Sequence, residues 1–278
     1  MVGRFCLAAC LLAGLILPAA AEPPRRVLSM NLCTDQLAMM LAAPGQLVSV
    51  SYLAQDPTAS AMPQAAARLP ANHGLAEEIF LMRPDLVLAG AWSPPETIRL
   101  LQRLNVPVEI FPVETDIAGI RANIRRMGEV LGRQAAAEAL LARFDADLAR
   151  LADGSPGPRP RAALYAANGY SSGRDSLAGQ IVALAGFDNI ADELGLPAGG
   201  VLALETLLLS DPDLLVEGRR YPGNARAQEV LDHPALRALT RGRPAEVMSD
   251  PDWVCGTPHI LHAIAQLRDA RLALQARP

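Results

Sequence analysis

One stretch of this chain occurs twice, and the repetition constrains the fold more than any other feature. Residues 77–90 read EEIFLMRPDLVLAG and residues 205–218 read ETLLLSDPDLLVEG, so the copies begin 128 positions apart. Each copy places a Glu seven residues before a Pro-Asp pair, with an apolar helical run between them and an apolar strand ending in Gly afterwards. The separation is too long for the 20–50-residue period of a solenoid. We therefore predict one structural unit used in each of two similar lobes, with a ligand cleft between the lobes.

The length and the charge agree with this prediction and exclude some functions. A chain of 278 residues, of which 51% are hydrophobic, is long enough to bury a core in each of two lobes. The formal net charge is −4, so the composition does not favour a surface that binds nucleic acid.

The first 21 residues are predicted to be a secretory signal peptide. Arg4 supplies a positive start, residues 5–17 are an apolar run, and Ala19–Ala21 has the small residues of a cleavage site. The run is too short to span a membrane comfortably. We therefore expect export to the periplasm. Two cysteines remain after cleavage, Cys33 and Cys255, and the sequence leaves open whether they form a disulfide, contact ligand or only pack.

Strands and helices alternate along the rest of the chain, which indicates mostly parallel sheets with helices on both faces. The strongest helical pattern, at 133–152, is rich in Ala, Leu, Arg and Glu. Besides the two repeated units, the sequence predicts strands at 26–29, 47–50, 108–111, 162–166 and 245–248 and helices at 94–104, 117–131, 176–185 and 260–274.

Four stretches resemble the periplasmic binding proteins for iron chelates and cobalamin that serve ABC importers. They are RRVLSMNLCTDQLAMMLAAPGQLVSVSYLAQDP, GLAEEIFLMRPDLVLAG, LALETLLLSDPDLLVEG and DWVCGTPHILHAIAQL, and the similarity covers residues 26–275. The resemblance implies an α/β fold of two doubly wound, Rossmann-like lobes, at 26–132 and 160–278. It also implies that the helix at 133–152 joins the lobes. We therefore expect a monomeric protein that captures a metal complex and delivers it to an inner-membrane ABC permease.

The resemblance also implies that one exposed Glu in each lobe docks on arginines of the permease. By their position before the Pro-Asp pair, these residues match Glu77 and Glu205, and the neighbouring Glu78 is a substitute for the first. A simpler role stands beside docking, because an acid in the first turn of a helix stabilises the helix dipole.

Candidate cleft residues come from the loops after predicted strands, because open α/β sheets bind ligands beyond the carboxyl ends of their strands. Trp92 and Trp253 are the only tryptophans, and we expect them to stack on a flat macrocycle or a catecholate ring. Arg220 is suited to pair with carboxylates of a siderophore or of haem. For Asn31 and Tyr221 we favour ordinary loop packing. The candidate set is Cys33, Thr34, Tyr52, Trp92, Asn168, Tyr170, Ser171, Arg220, Trp253 and Cys255.

The histidines show no spacing that specifies a metal site, although a Tyr or His side chain could ligate haem iron. They are His73, His233, His259 and His262. We therefore expect no metal ligands from the protein and no permanent cofactor, with the metal arriving in a ferric siderophore, cobalamin or haem.

One motif favours a different class of protein. Residues 169–173 read GYSSG, which matches the G-x-S-x-G nucleophile elbow of serine hydrolases after a strand and before a helix. Ser171 would be the nucleophile, with Asp250 or Asp252 and then His259 following in triad order. A glycine-rich loop also suits a ligand cleft, where backbone must approach closely. A secreted serine hydrolase is therefore the alternative to a binding protein, with haem as the alternative ligand.

Overall fold

The computed structural model describes residues 22–151, 158–223, 225–241 and 244–276. It confirms the α/β class with parallel sheets. The signal peptide predicted at 1–21 lies outside the described residues.

The first lobe is built on a parallel sheet whose described strands lie in the order β3-β2-β1-β4-β5. The chain moves outward from β1 to one edge and then returns to build the other edge. The strand order therefore reverses between β1 and β4. The strands are β1 (Val27–Ser29), β2 (Leu47–Ser51), β3 (Ala71–Asn72), β4 (Leu86–Gly90) and β5 (Val108–Phe111).

The second lobe repeats this arrangement with a parallel sheet of described strands in the order β11-β10-β6-β8. Its order reverses between β6 and β10, which is the counterpart of the reversal in the first lobe. A short antiparallel pair, β7 with β9, lies beside it. These strands are β6 (Arg161–Tyr165), β7 (Tyr170–Ser171), β8 (Asp188–Asn189), β9 (Gly200–Val201), β10 (Leu214–Glu217) and β11 (Ala245–Val247).

The helices cover the faces of the sheets. The helix predicted to join the lobes corresponds to α6, which packs against α5 on one side and α12 on the other. The described helices are α1 (Leu32–Leu41), α2 (Pro63–Ala66), α3 (Ala76–Leu81), α4 (Pro95–Arg103), α5 (Ile117–Val130), α6 (Gln134–Leu151), α7 (Leu177–Leu184), α8 (Ile190–Glu193), α9 (Leu204–Ser210), α10 (Pro234–Leu239), α11 (Asp250–Trp253) and α12 (Ile260–Gln275). The division into lobes at 26–132 and 160–278 stays a prediction.

The Asp of each repeated Pro-Asp pair binds the backbone at the amino end of the first strand of its lobe. The Asp85 carboxylate accepts hydrogen bonds from the backbone N–H groups of Arg25 at 2.7 Å and Arg26 at 3.0 Å. Its counterpart Asp213 accepts one from the N–H of Arg161 at 2.7 Å. These bonds satisfy backbone donors at the start of β1 and β6 and attach each first strand to the repeated strand beside it.

Arg26 and Arg161 also bind the carboxyl end of the helix that precedes each Pro-Asp pair. The Arg26 guanidinium donates to the carbonyl oxygens at the end of α3, and that of Arg161 donates to the Ser210 carbonyl at the end of α9. The residues before the prolines, Arg83 and Asp211, are left-handed, with φ of 50° and 47°. A left-handed residue followed by proline stops a helix. The repeat is therefore a helix-to-strand corner used twice.

Apolar packing is continuous between the lobes. One cluster of buried side chains includes Leu37 and Phe144 together with Leu164, Ile181 and Ile264, and so runs from the first sheet through α6 into the second. Two smaller clusters lie on the outer faces of the sheets. The lobes are consequently held together by a shared core.

The sequence prediction omitted the short elements. It missed strands β3, β7, β8 and β9 and helices α2, α8, α10 and α11. Each of these elements has only two to six residues, too few for a hydrophobic period to be recognised.

Candidate functional site

A cavity of about 460 Å³ lies at the carboxyl ends of β1, β4 and β5. This is the point where the strand order of the first sheet reverses, the usual ligand position in open α/β sheets. Its wall is mostly apolar, and its lining residues include no Arg, Lys or His. It is lined by Met30, Asn31, Leu32, Cys33, Thr34, Leu37, Leu53, Gly90, Ala91, Trp92, Ser93, Pro94, Phe111, Pro112, Val113, Glu114 and Val254. A second cavity, of about 600 Å³, lies at the amino ends of the strands beside Glu22, where sheets of this type do not bind ligands.

The start of α1 forms one side of the cavity. Asn31 caps this helix, and its side-chain oxygen accepts from the backbone N–H of Cys33 at 3.0 Å. Thr34 is buried, and its hydroxyl pairs with that of Ser29 at 2.7 Å. The cap agrees with the structural role favoured for Asn31, and the polar groups here are already satisfied within the lobe.

A buried carboxylate lies directly below this helix start. Asp35 accepts hydrogen bonds from the backbone N–H of Ser51 at 3.1 Å and from its hydroxyl at 2.5 Å. Burial raises the pKa of Asp35 from 3.8 to about 7, and the hydrogen bonds from Ser29 and Ser51 oppose part of that shift. Asp35 therefore changes its charge near neutral pH, although it does not line the cavity.

A disulfide between Cys33 and Cys255 crosses from the first lobe to the second at the edge of the cavity, with a Cα–Cα distance of 5.1 Å. Cys33 is the second residue of α1, and Cys255 lies between α11 and α12. The sequence left open whether these cysteines form a disulfide, contact ligand or only pack, and the structure shows the disulfide. Cys33 also lines the cavity, whereas Cys255 is buried.

Glu114 is the only charged residue in the cavity wall. It is almost fully buried, and its carboxylate accepts from the side-chain amide of Asn123. Burial raises the pKa of Glu114, while hydrogen bonds from Asn123 and from backbone N–H groups act in the opposite direction. The sequence reasoning missed Glu114, although it follows β5 and so obeys the rule that was applied to the other strands.

The second lobe presents arginines near the cleft, but carboxylates neutralise them. Arg219 donates to Asp250 at 2.9 Å and to the carbonyl oxygen of Thr58 in the first lobe. The predicted ligand residue Arg220 donates to Asp232 at 2.6 Å. The Tyr221 hydroxyl donates to Asp250 at 2.9 Å, in agreement with the structural role favoured for it. Arg220 is therefore engaged within its own lobe, and pairing with a ligand carboxylate would compete with that ion pair.

The two tryptophans have opposite environments. Trp92 is 85% exposed and lines the cavity, whereas Trp253 is 7% exposed and packs in the core. The expectation that both rings stack on one ligand does not fit this geometry, because only Trp92 is accessible. The helical turn α11, which the sequence did not predict, turns Trp253 into the core.

The remaining aromatic candidate of the first lobe lies outside the cavity wall. Tyr52 is about half exposed and stacks on His73 with ring centroids 5.4 Å apart. The two rings form an exposed pair at the carboxyl end of β2. Ligand contact by Tyr52 stays a prediction.

The candidates after β6 form a tight turn. Asn168 is left-handed, with φ of 56°, and Tyr170 is exposed. Ser171 is 0% exposed, and its hydroxyl has no hydrogen-bond partner among the described residues. Direct ligand contact by Ser171 does not fit this burial. Asn168 and Tyr170 stay predictions, because both are accessible and neither lines the described cavity.

The hydrolase geometry is not formed around Ser171. This residue lies in the antiparallel pair of β7 with β9 and not in an exposed strand-to-helix turn. Asp252 bonds to His262 and Ser249, and Asp250 to Arg219 and Tyr221. No described hydrogen bond joins His259 to Ser171, so the base and nucleophile of a triad are not paired.

The histidines do not converge on a common site. Burial and the neighbouring His262 lower the pKa of His259. His233 caps the start of α10, where its Nδ1 accepts from the backbone N–H of Ala235 at 3.2 Å. Within the ranges that the structure describes, no group of three or more His, Cys, Asp or Glu side chains is placed to hold a metal ion.

The predicted docking acids occupy matching positions. Glu77 and Glu205 are both exposed in the first turns of α3 and α9, and neither has an ion pair in the described part of the chain. Glu78 instead accepts from the backbone N–H of His73 at 2.8 Å. Its carboxylate therefore holds its own lobe together and is less available to a partner.

No helix in the described ranges combines the length and apolar character that a membrane crossing requires.

Comparison with known proteins places the chain in a family. A family model described as "Periplasmic binding protein" matches residues 27–252. A cobalamin-binding protein of Halobacterium salinarum is 29% identical over 200 residues, which cover 70% of this chain and 54% of that protein. The chain thus spans about half the length of the curated relatives it matches.

Solved structures agree with the fold. The apo form of the periplasmic heme-binding protein RhuT of Roseiflexus sp. RS-1 superposes with a TM-score of 0.74 at 22% identity, covering 90% of this chain and 98% of that one. A periplasmic heme-binding protein of Pseudomonas aeruginosa gives 0.72 at 26% identity, covering 89% and 92%. The repeated corners, the cavity at the strand reversal and the matched range lead to one conclusion: the chain belongs to the periplasmic binding protein family.

Proposed function

We propose that this protein captures a metal-containing macrocycle, foremost a corrinoid such as cobalamin, and delivers it to an ABC permease in the inner membrane. It acts in the periplasm as a monomer after removal of residues 1–21. No bond is made or broken by the protein, which fits a family of binding proteins.

The charge balance of the cleft is the observation that carries the choice of ligand. The cavity wall is mostly apolar, Glu114 is the only charged member among the described residues that line it, and Arg219 and Arg220 are each paired with a carboxylate. Haem brings two propionates and ferric catecholates bring several negative charges, so both need unpaired cations. A corrinoid presents neutral amides around its ring. The N–H groups of these amides donate hydrogen bonds to a carboxylate or to carbonyl oxygens, so no cation is needed. The cobalamin-binding relative supports the same choice.

Trp92 is the residue proposed to make the main apolar contact with the macrocycle. Its indole is exposed at the cavity mouth, where a flat ring can cover it. Leu53, Val113 and Val254 line the cavity with exposed aliphatic surface and extend the apolar contact. Burying this surface supplies the affinity.

Haem is the second candidate ligand, and two observations favour it. The structural relatives from Roseiflexus and Pseudomonas are named as heme-binding proteins. Tyr52 and His73 are exposed together at the end of β2, and either side chain is of a type that ligates haem iron.

The test is a titration of the purified mature protein with cyanocobalamin, haemin and a ferric siderophore, each followed by quenching of Trp92 and by calorimetry. The proposal requires saturable binding of cyanocobalamin at one site per protein, tighter than that of haemin. Tight haemin binding with a shifted Soret band that is lost in Tyr52→Phe, together with no cyanocobalamin binding, would replace the corrinoid by haem. Binding of none of the three would reject the proposed ligand class.

A further inference from the structure

The second lobe reaches into the wall of the first-lobe cavity through one short segment, Val254–Thr257, here called the floor segment. Val254 lines the cavity although every other lining residue belongs to the first lobe. The next residue, Cys255, is covalently bound to Cys33, which lies 222 positions earlier in the chain. The second-lobe part of the cavity wall is therefore attached to the first lobe at the edge of the cavity.

The next residue of the floor segment is fitted against Glu114. Gly256 has no side chain, and a Cβ built there would lie 2.5 Å from the Cβ of Glu114 and 2.9 Å from its carboxyl carbon. Real Cβ atoms do not approach that closely, so glycine is required by this contact and not by a left-handed backbone. The buried carboxyl group of Glu114 thus fills the space that any other residue at 256 would occupy.

The last residue of the floor segment makes a polar contact with α1. The Thr257 hydroxyl donates to the side-chain oxygen of Gln36 at 3.3 Å, and both side chains are buried. Three successive residues therefore hold the same lobe by three kinds of interaction, namely a covalent bond, close packing and a hydrogen bond. None of the three requires a ligand.

We propose that the floor segment assembles the ligand site before the ligand arrives, with the Cys33–Cys255 disulfide and Glu114 as positioning residues. The inference rests on the proposed function, because it takes this cavity as the ligand site. A ligand that meets a preset wall spends no binding free energy on ordering it. The shared core and the packing of α6 limit how far the lobes can separate, and the attachments restrict the freedom that remains at the floor segment. Where that freedom is restored, the apparent affinity falls by the fraction of time spent in the competent arrangement.

The first experiment measures the lobe separation without ligand. Spin labels are placed on Leu104→Cys and Leu194→Cys, two leucines of similar exposure on opposite lobes, and the distance distribution is recorded by pulsed electron paramagnetic resonance. The parent protein should give a narrow distribution. Cys33→Ser with Cys255→Ser should broaden it. Since loss of the disulfide also lowers the stability of the fold, Gly256→Ala is the second variant: it keeps both cysteines and forces the floor segment away from Glu114.

The second experiment measures binding of cyanocobalamin and of haemin to the same variants. Both variants should bind the preferred probe roughly tenfold more weakly, as expected if the competent arrangement is populated about a tenth of the time. Gly200→Ala is the matched control, because its Cβ would meet only the flexible end of Leu196. Its distance distribution and affinity should equal those of the parent.

The outcomes separate this inference from the proposed function. Unchanged distance distributions in both variants would overturn it, and so would broadened distributions with unchanged affinity. If the parent protein binds neither probe, the proposed ligand class fails, while the ligand-free distances still decide whether the floor segment presets the cleft.

Discussion

The loops that follow the two repeated strands differ far more than the repeated units themselves. Beyond β4 the chain passes through Trp92, which is exposed at the cavity mouth. Beyond β10 it passes through Arg219 and Tyr221, which both donate hydrogen bonds to the carboxylate of Asp250. The corner before each strand attaches that strand to its sheet, and both sheets require the same geometry there. The loop after each strand lies at the cleft, and the two sides of the cleft differ in the side chains they present.

The lobes also differ in their buried charge. Asp35 and Glu114, the buried carboxylates among the described residues, both belong to the first lobe, and Glu114 lines the cavity. The described buried charge of the second lobe is Arg271 on α12. The first lobe thus holds most of the cavity wall and its acidic groups, and the second lobe contributes the floor segment.

The largest expected effect contrasts the two tryptophans. Trp253→Ala should lower the free energy of unfolding by about 3–5 kcal/mol, because it empties a buried site. Trp92→Ala should change it by less than about 0.5 kcal/mol and should weaken ligand binding by about 1–3 kcal/mol through lost apolar contact. Urea unfolding and ligand titration of both variants check this. Equal stability of the two variants would break the contrast.

The next effect concerns pH and the buried acid of the first lobe. The pKa of Asp35 is raised from 3.8 to about 7, so the folded state keeps a proton that the unfolded chain has already lost between those values. The free energy of unfolding should therefore fall as pH rises from about 4 to 7, by about 1 kcal/mol per pH unit. Asp35→Asn should reduce this slope, and the remaining slope belongs to groups such as Glu114, whose pKa burial also raises. Urea unfolding across the range measures it, and an equal slope in the variant would assign the titration elsewhere.

A smaller effect tests whether the repeated corners are equivalent. Asp85→Ala and Asp213→Ala should each lower the free energy of unfolding by about 1–2 kcal/mol, because each leaves backbone N–H groups without their charged acceptor. Asp269→Ala is the control, since Asp269 is exposed on α12 and has no described partner. A loss in one corner but not the other would show that the corners are alike only in shape.

The smallest effect on the purified protein is expected at the exposed acids of the repeat. Glu77→Ala with Glu205→Ala should change stability by less than about 0.5 kcal/mol and leave ligand affinity unchanged, because both residues lie outside the cavity. If these acids dock on the permease, uptake into reconstituted vesicles should fall, and its dependence on salt should weaken. Glu78→Ala is the comparison, because its carboxylate is bound to His73. Normal transport by the double variant would leave both acids as helix-terminal groups.

The large elements and the site differ in how far the sequence predicted them. The strand Val108–Phe111 was predicted with its observed bounds, and the helix predicted at 133–152 differs from α6 by one residue at each end. Of the ten ligand candidates, Cys33, Thr34 and Trp92 line the cavity. Glu114 and Val254 line it without having been predicted. The rule of strand carboxyl ends located the right edge of the sheet, but it does not say which side chains of a loop turn inward.

The sequence by itself determined the α/β class, the two lobes and their repeated corner. These follow from apolar periodicity and from Pro-Asp pairs, whose effects on the backbone act over a few neighbouring residues. Only the tertiary structure decided that Cys33 and Cys255 are joined and that Trp92 is exposed while Trp253 is buried. Exposure and cysteine pairing depend on segments more than 200 residues apart in the chain, such as α1 and the floor segment. No local pattern encodes that proximity, because it is set by how the two lobes pack around their shared core.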